Sequence, residues 1–269
     1  MEDQVQDTNN GQTPEEPLEP PTVSTEEVDT LLGGADADVF FFRNHFDQLS
    51  PLSPPTSEIG SSEGEEILGT DGNDVILGRD GNDTISSFKG DDFLDGQGGD
   101  DLLFSGQDND IVVGSDGGDT LFGDRGVDVV YGGDGEDVLF GNQDNDTIYG
   151  DGDDDEIYGG QGNDSLIGGS GNDLLLGDRG EDTLIGASRA GEGYTRVADF
   201  DSGEDTILLF GTADGYQLVS TADLSAETGV ELPSGTAILS TNLSGDRELL
   251  AVIEDASSLD LGDSYFQFL

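Results

Sequence analysis

The chain contains no cysteine, one histidine, His45, and one lysine, Lys89. Without cysteine there is neither a disulfide scaffold nor a thiolate metal site, and the redox compartment stays undetermined. One histidine cannot supply the pair in His-Glu-x-x-His, which excludes that kind of zinc protease. No apolar run approaches the roughly 18 residues of a spanning helix. The start, Met1-Glu2-Asp3-Gln4, lacks the positive residues and apolar stretch of a Sec signal, so export calls for another route. Positive charge is scarcest of all. Eight Lys and Arg stand against 61 Asp and Glu, a formal net charge of -53. Such a chain repels nucleic acid and anionic membrane surfaces, and it needs cations to compact. With thiolates and imidazoles missing, oxygen is the available ligand, which suits a hard cation and fits zinc poorly.

Composition divides the chain into three parts. Residues 1–59 form an acidic leader with Pro14, Pro17, Pro20, Pro21, Pro51, Pro54 and Pro55, read as largely disordered because it has little apolar surface to bury. One island, GGADADVFF at 33–41, fits an isolated repeat with Asp38 and Phe40 in the slots defined below. Residues 60–186 hold the repeat array. Residues 187–269 lose its period but keep short runs such as RVADF, DTILLF, TAILS and ELLAVI, which predict a small β-rich cap of strands and turns.

Thirteen nonapeptides run without interruption from Gly69 to Ile185. Slot six is aspartate in every one: Asp74, Asp83, Asp92, Asp101, Asp110, Asp119, Asp128, Asp137, Asp146, Asp155, Asp164, Asp173 and Asp182. Slot eight is aliphatic throughout, from Ile76 to Leu184. Slot one is glycine except at Ser87 and Ser105, and slot four except at Asp108, Asp144 and Asp153, where Asp tolerates positive φ. Six turn-forming residues followed by a three-residue strand imply that two nonads close one coil. Slot eight then stacks inward as a narrow core. Slot-six carboxylates eighteen residues apart come within about 5 Å, where like charges repel by roughly 0.8 kcal/mol even in bulk water. Asp137 should therefore face Asp119 and Asp155, and Asp146 should face Asp128 and Asp164.

Columns of such aspartates need neutralising. Calcium suits them, since it takes 6–8 oxygens from carboxylates and backbone carbonyls in flexible geometry. Sandwiching between coils would give about eleven sites. Asp and Asn ladders also occur in metal-free solenoids held by side-chain hydrogen bonds, but an unbroken series of thirteen with flanking glycines favours the cation. An EF-hand reading from Asp151 fails because its twelfth position is Gly162, where a bidentate Glu is wanted.

These nonads resemble the Gly-Gly-x-Gly-x-Asp-x-aliphatic-x repeat of the RTX, or hemolysin-type calcium-binding, proteins. The resemblance implies an all-β fold: a right-handed parallel β-roll holding multiple calcium ions, with folding coupled to their binding. RVADFDSGEDTILL at 196–209 is similar to the segment that follows such arrays, and DSYFQFL at the end resembles the tail of type I secretion substrates. The family thereby implies a secreted, extracellular protein. Its arrays serve toxins, proteases, lipases and surface proteins, so function rests on the other residues. GSSEG at 60–64 fits Gly-x-Ser-x-Gly formally, but no apolar strand precedes Ser62 and His45 lies on the wrong side of it. The expectation is a non-enzymatic calcium-binding component of a surface or matrix. The alternative is an adhesin or enzyme accessory acting through 187–269. Aromatic and aliphatic residues in slot nine, among them Phe122, Phe140, Tyr131 and Tyr149, face outward either as coil-stabilising contacts or as a docking surface for self-association or a cell-surface partner.

Overall fold

The computed structural model describes residues 56–185, 193–241 and 247–269. His45 and the isolated nonad at 33–41 lie outside the described residues. Each nonad supplies one parallel strand, and successive strands alternate between a 10-stranded and an 11-stranded sheet. The result is a parallel β-roll of about seven coils. Register is eighteen residues within the array: Phe140 pairs with Phe122 and Tyr158, and Tyr149 with Tyr131 and Ile167. All thirteen slot-eight side chains are buried and form one row between the sheets.

The strands are longer than the sequence suggests. Most span six residues, as in Val138–Gln143 and Thr147–Gly152, because pairing resumes after a kink at slots one and two, while Thr84–Ser86, Leu102–Phe104 and Thr183–Ile185 keep the expected three. Asn142, at φ +77°, still pairs with Asp124 and Gly160. Slot two is left-handed even where it holds Arg79 or Phe88, at φ +83° and +77°, a conformation costing such residues about 1–2 kcal/mol. The three aspartates in slot four adopt φ +80°, +75° and +70° at Asp108, Asp144 and Asp153, as their tolerance of that region predicts.

Slot nine forms outer ladders. Phe104, Phe122, Phe140 and Tyr158 stack face to face at 4.8–4.9 Å, and Tyr131 stacks on Tyr149 at 4.8 Å. Each ring is partly covered by its neighbours in the stack, so these residues cement adjacent coils. Replacing two adjacent rings, Phe122→Ser with Phe140→Ser, is expected to cost about 1–3 kcal/mol in urea unfolding and to leave the sedimentation coefficient unchanged. A change in assembly state would instead mark the stripe as a docking surface.

Beyond Ile185 the nonapeptide phase is lost but the solenoid continues. Leu174 and Leu175 pair with Arg196 and Val197, and Thr183–Ile185 with Thr206–Leu208. These steps of 22 and 23 residues carry longer connections, which is why the period disappears from the sequence. Arg247–Glu254 and Phe266–Phe268 add parallel strands beside Thr195–Val197 and Thr206–Leu209, while Tyr216–Ser220 and Gly235–Thr241 close one sheet antiparallel. Ile238, Ile253 and Phe266 join the same core as Val197 and Ile207. A helix over Thr221–Thr228 interrupts this β unit. It buries one apolar side chain, Leu224, against Ala237 and Leu239. A helix with so little apolar periodicity leaves no pattern to read.

Candidate metal centre

Two columns of carboxylates run along the roll, one at each line of turns. Every slot-six aspartate from Asp74 to Asp182 is buried, with at most 3% of its surface exposed. Within each column one oxygen is used structurally. The backbone N–H of Asp119 donates to Asp137 Oδ1 at 2.7 Å, and that of Asp137 to Asp155 Oδ1 at 3.0 Å. In the other column Asp128 N–H donates to Asp146 Oδ1 at 2.9 Å and Asp146 N–H to Asp164 Oδ1 at 2.8 Å. The eighteen-residue partnership expected from the repeat is therefore a direct hydrogen-bonded contact.

The second oxygen has no such partner. Oδ2 of Asp83, Asp92, Asp101, Asp110, Asp119, Asp128, Asp137, Asp146, Asp155, Asp164 and Asp173 is buried without a hydrogen-bond donor. The column from Asp74 to Asp182 is closed at both ends. Asp74 Oδ2 accepts from Thr70 N–H at 2.6 Å, and Asp205, the rung after Asp182, accepts from Asp182 N–H at 3.1 Å and Asp201 N–H at 2.7 Å. Thr195 occupies the corresponding rung after Asp173.

The slot-one glycine is explained by this second oxygen. A Cβ on Gly132 would sit 2.4 Å from Asp137 Oδ2 and 2.7 Å from the Gly150 carbonyl oxygen, and one on Gly150 would sit 2.3 Å from Asp155 Oδ2 and 2.4 Å from Gly168 O. The bare Cα thus leaves a carboxylate oxygen and a carbonyl of the next coil facing one narrow gap. Ser87 and Ser105 fill that space instead. Ser87 Oγ donates to Ser105 O at 2.6 Å, and Ser105 Oγ to Gly123 O at 2.7 Å.

Burial drives every one of these eleven carboxyls above the ordinary carboxylate range, with like charges in the same column adding to the effect for most of them. Asp155 is pushed up to about 9, Asp110 and Asp146 to about 8, and Asp137 to about 7. An anionic oxygen with no donor, in a site that disfavours its charge, is matched by a bound cation. Among the described residues no three acidic or imidazole side chains converge on one point. An ion here must draw most of its oxygens from backbone carbonyls, which calcium accepts readily.

Several members of this arrangement lie outside the thirteen uninterrupted nonapeptides from Gly69 to Ile185. Glu65 is the slot-six residue of a preceding repeat, 60–68: its N–H donates to Asp83 Oδ1 at 2.8 Å, while its carboxylate is capped by the Ser61 N–H and hydroxyl. The signal was Gly60, nine residues before Gly69, with Ile67 in slot eight. Ser62 lies in the exposed turn of this repeat. Asp205 was legible in Asp-Thr-Ile-Leu, which repeats slots six to nine. A second ladder runs through slot five, where Asn109 Oδ1 accepts from Val127 N–H at 2.9 Å and Asn145 Oδ1 from Asn163 N–H at 2.7 Å.

Compared with known families, residues 59–87, 89–112, 113–148 and 149–184 match the RTX calcium-binding nonapeptide repeat in four copies. No curated protein matches the chain.

Proposed function

We propose, from the match of residues 59–184 to the RTX calcium-binding nonapeptide repeat, that the thirteen slot-six aspartates hold about eleven calcium ions between stacked turns. The observation that carries this reading is the set of buried, unpartnered Oδ2 atoms from Asp83 to Asp173. Bound there, calcium supplies positive charge and accepts carboxylate and carbonyl oxygens. The chain's own residues do the rest: slot six presents the carboxylate, the slot-one glycine leaves it room, and slot eight supplies the core that the ions hold together.

The protein's role in this reading is structural. It is a secreted calcium-binding component of a cell surface or matrix, released unfolded by an exporter and folded outside. The C-terminal tail supports that order, since Phe266–Phe268 pairs into the 10-stranded sheet with Phe266 buried and is accessible to an exporter only before folding. A non-enzymatic role fits the lining of a cleft of about 660 Å³ in the C-terminal unit. It contains hydroxyls, including Ser220, Ser225 and Ser258, but no histidine, lysine or cysteine that could activate one. Its Ser234 hydroxyl is tied to Asp255 at 2.8 Å.

Calorimetric titration of the calcium-free chain tests the assignment. About eleven ions are expected, and about two fewer for Asp137→Asn, because Asp137 faces both Asp119 and Asp155. An unchanged count in the variant would remove the slot-six carboxylates from the site.

A further inference from the structure

The outer row of slot-nine side chains on the 11-stranded sheet has one gap. In register it runs Leu68, Ser86, Phe104, Phe122, and Ser86 is the member without an apolar side chain. Among the described residues Phe104 stacks on one ring only, that of Phe122. Its other face is turned across Ser86 towards Leu68, which is 52% exposed. Two coil spacings, about 9.6 Å, separate Leu68 from Phe104, and rings in this row stack at 4.8 Å, so the gap admits one ring. A cleft of about 710 Å³ opens there, lined by Ser86, Phe104 and residues of slots two and three.

The array departs from its own pattern at this cleft. Beside Ser86, slot two holds Phe88, 47% exposed and at φ +77°, a strained conformation for a bulky side chain. Strain and broken patterning of this kind gather at functional sites. The charged residues of the lining cancel. Lys89 pairs with Asp71 at 2.9 Å, and Arg125 adjoins Asp124, where burial pushes the carboxyl up and the guanidinium opposes that rise. The lining also includes Gln107, Gln143 and Gln161, whose side-chain amides make no hydrogen bond among the described residues. Each amide offers both donors and an acceptor. Lys89, Gln107, Arg125, Gln143 and Gln161 form a single file in slot three, one per coil.

We propose that this cleft binds a neutral glycan, with one sugar ring stacked on Phe104 over Ser86 and the adjoining sugars hydrogen-bonded along the slot-three file. A sugar ring has an apolar C–H face and an edge of hydroxyls, which matches one open aromatic face beside groups that both donate and accept. An aromatic side chain from a partner protein would fill the gap but leave the amides unused. An acidic glycan would bring further negative charge to a chain of formal charge -53, whereas a neutral one meets a lining whose charges already balance. The file from Lys89 to Gln161 spans four coil spacings, about 19 Å, so the occupant is an oligosaccharide and not a single sugar. No slot-six carboxylate takes part, which keeps this site separate from the calcium assignment.

The test applies the full chain in calcium to an array of immobilised neutral and acidic oligosaccharides, with circular dichroism to show that each variant is folded. Retention on neutral hexose oligomers is expected, weakened about tenfold or more by Phe104→Ala. Ser86→Phe is the sharper variant, because it supplies the missing ring. It should abolish retention while keeping or raising the midpoint of urea unfolding, so a lost signal cannot be ascribed to a damaged fold. A folded chain that binds no neutral glycan, or acidic glycans only, overturns the proposal. Retention on neutral glycans that survives Ser86→Phe places the sugar elsewhere and overturns it too. Self-association without glycan binding, seen in sedimentation and removed by Ser86→Phe, assigns the gap to a protein side chain and equally overturns it.

Discussion

Withdrawing calcium is expected to abolish the β signal of the array in circular dichroism and to expand the chain, and restoring calcium should reverse both changes. The slot-eight row contributes one buried aliphatic residue per nonad, about 1.5–3 kcal/mol each. Ordering the nine residues of that nonad costs about 1–2 kcal/mol for every backbone unit. Hydrogen bonding between coils offsets part of this deficit, but eleven buried oxygens without donors add to it. Even at about 1 kcal/mol each they cancel about 11 kcal/mol, comparable to the whole stability of an ordinary domain. Like-charge repulsion along each column acts in the same direction. Calcium removes the last two costs together, so binding and folding form one equilibrium that propagates from coil to coil. The C-terminal unit should be lost with the array, because Thr195–Val197 and Thr206–Leu209 pair onto its last strands. A β signal that survives chelation would show that the hydrogen-bonded ladders suffice alone, and would overturn the proposed mechanism.

The repeat made much of this legible. Invariant slots six and eight define coil size, column and core, because each residue in a solenoid meets the same environment every eighteen positions. The contact of Asp137 with Asp119 and Asp155 follows from that period alone. Features that depend on backbone conformation were less visible. Arg79 and Phe88 give no hint of their left-handed φ, because neighbouring coils impose it, and the six-residue strands are hidden by a kink inside what reads as a turn. The end rungs were obscured differently. Glu65 and Thr195 occupy slot six with other residue types, and Asp205 follows a longer connection, so none matches a strict nine-residue template. The glycines of slot one were legible as a pattern but not as a cause. Only the position of Asp137 Oδ2 beside Gly132 shows that a side chain there would collide with the carboxylate.

Acidification should partly replace calcium. Without the ion, folding buries carboxyls that prefer to be neutral: Asp155 is pushed up to about 9, Asp110 and Asp146 to about 8, Asp92, Asp101, Asp128, Asp137 and Asp182 to about 7, and Asp119, Asp164 and Asp173 to about 6. In the unfolded chain the same groups titrate near about 3.9. Because the folded values are the higher ones, the stabilisation from protonation is fully present below the unfolded value and is lost as pH rises through about 6 to 9. In chelator, the chain should therefore be expanded at about pH 8 and gain β signal and compactness towards about pH 4.5. Dilute samples are needed, since the sequence pI is about 4.1 and a chain near zero net charge associates. With calcium present the dependence reverses, because the ion requires the ionised carboxylate: affinity should fall on acidification, and binding to the compact, protonated chain at about pH 4.5 should release protons, whereas binding to the expanded chain at about pH 8, whose carboxylates are already ionised, should release almost none. Calorimetry in buffers of different ionisation enthalpy measures that release. Zero proton release at about pH 4.5, together with no acid-induced compaction in chelator, would show that the buried aspartates are not protonated on folding without an ion. The unpartnered Oδ2 atoms would then lose their role in coupling calcium to the fold.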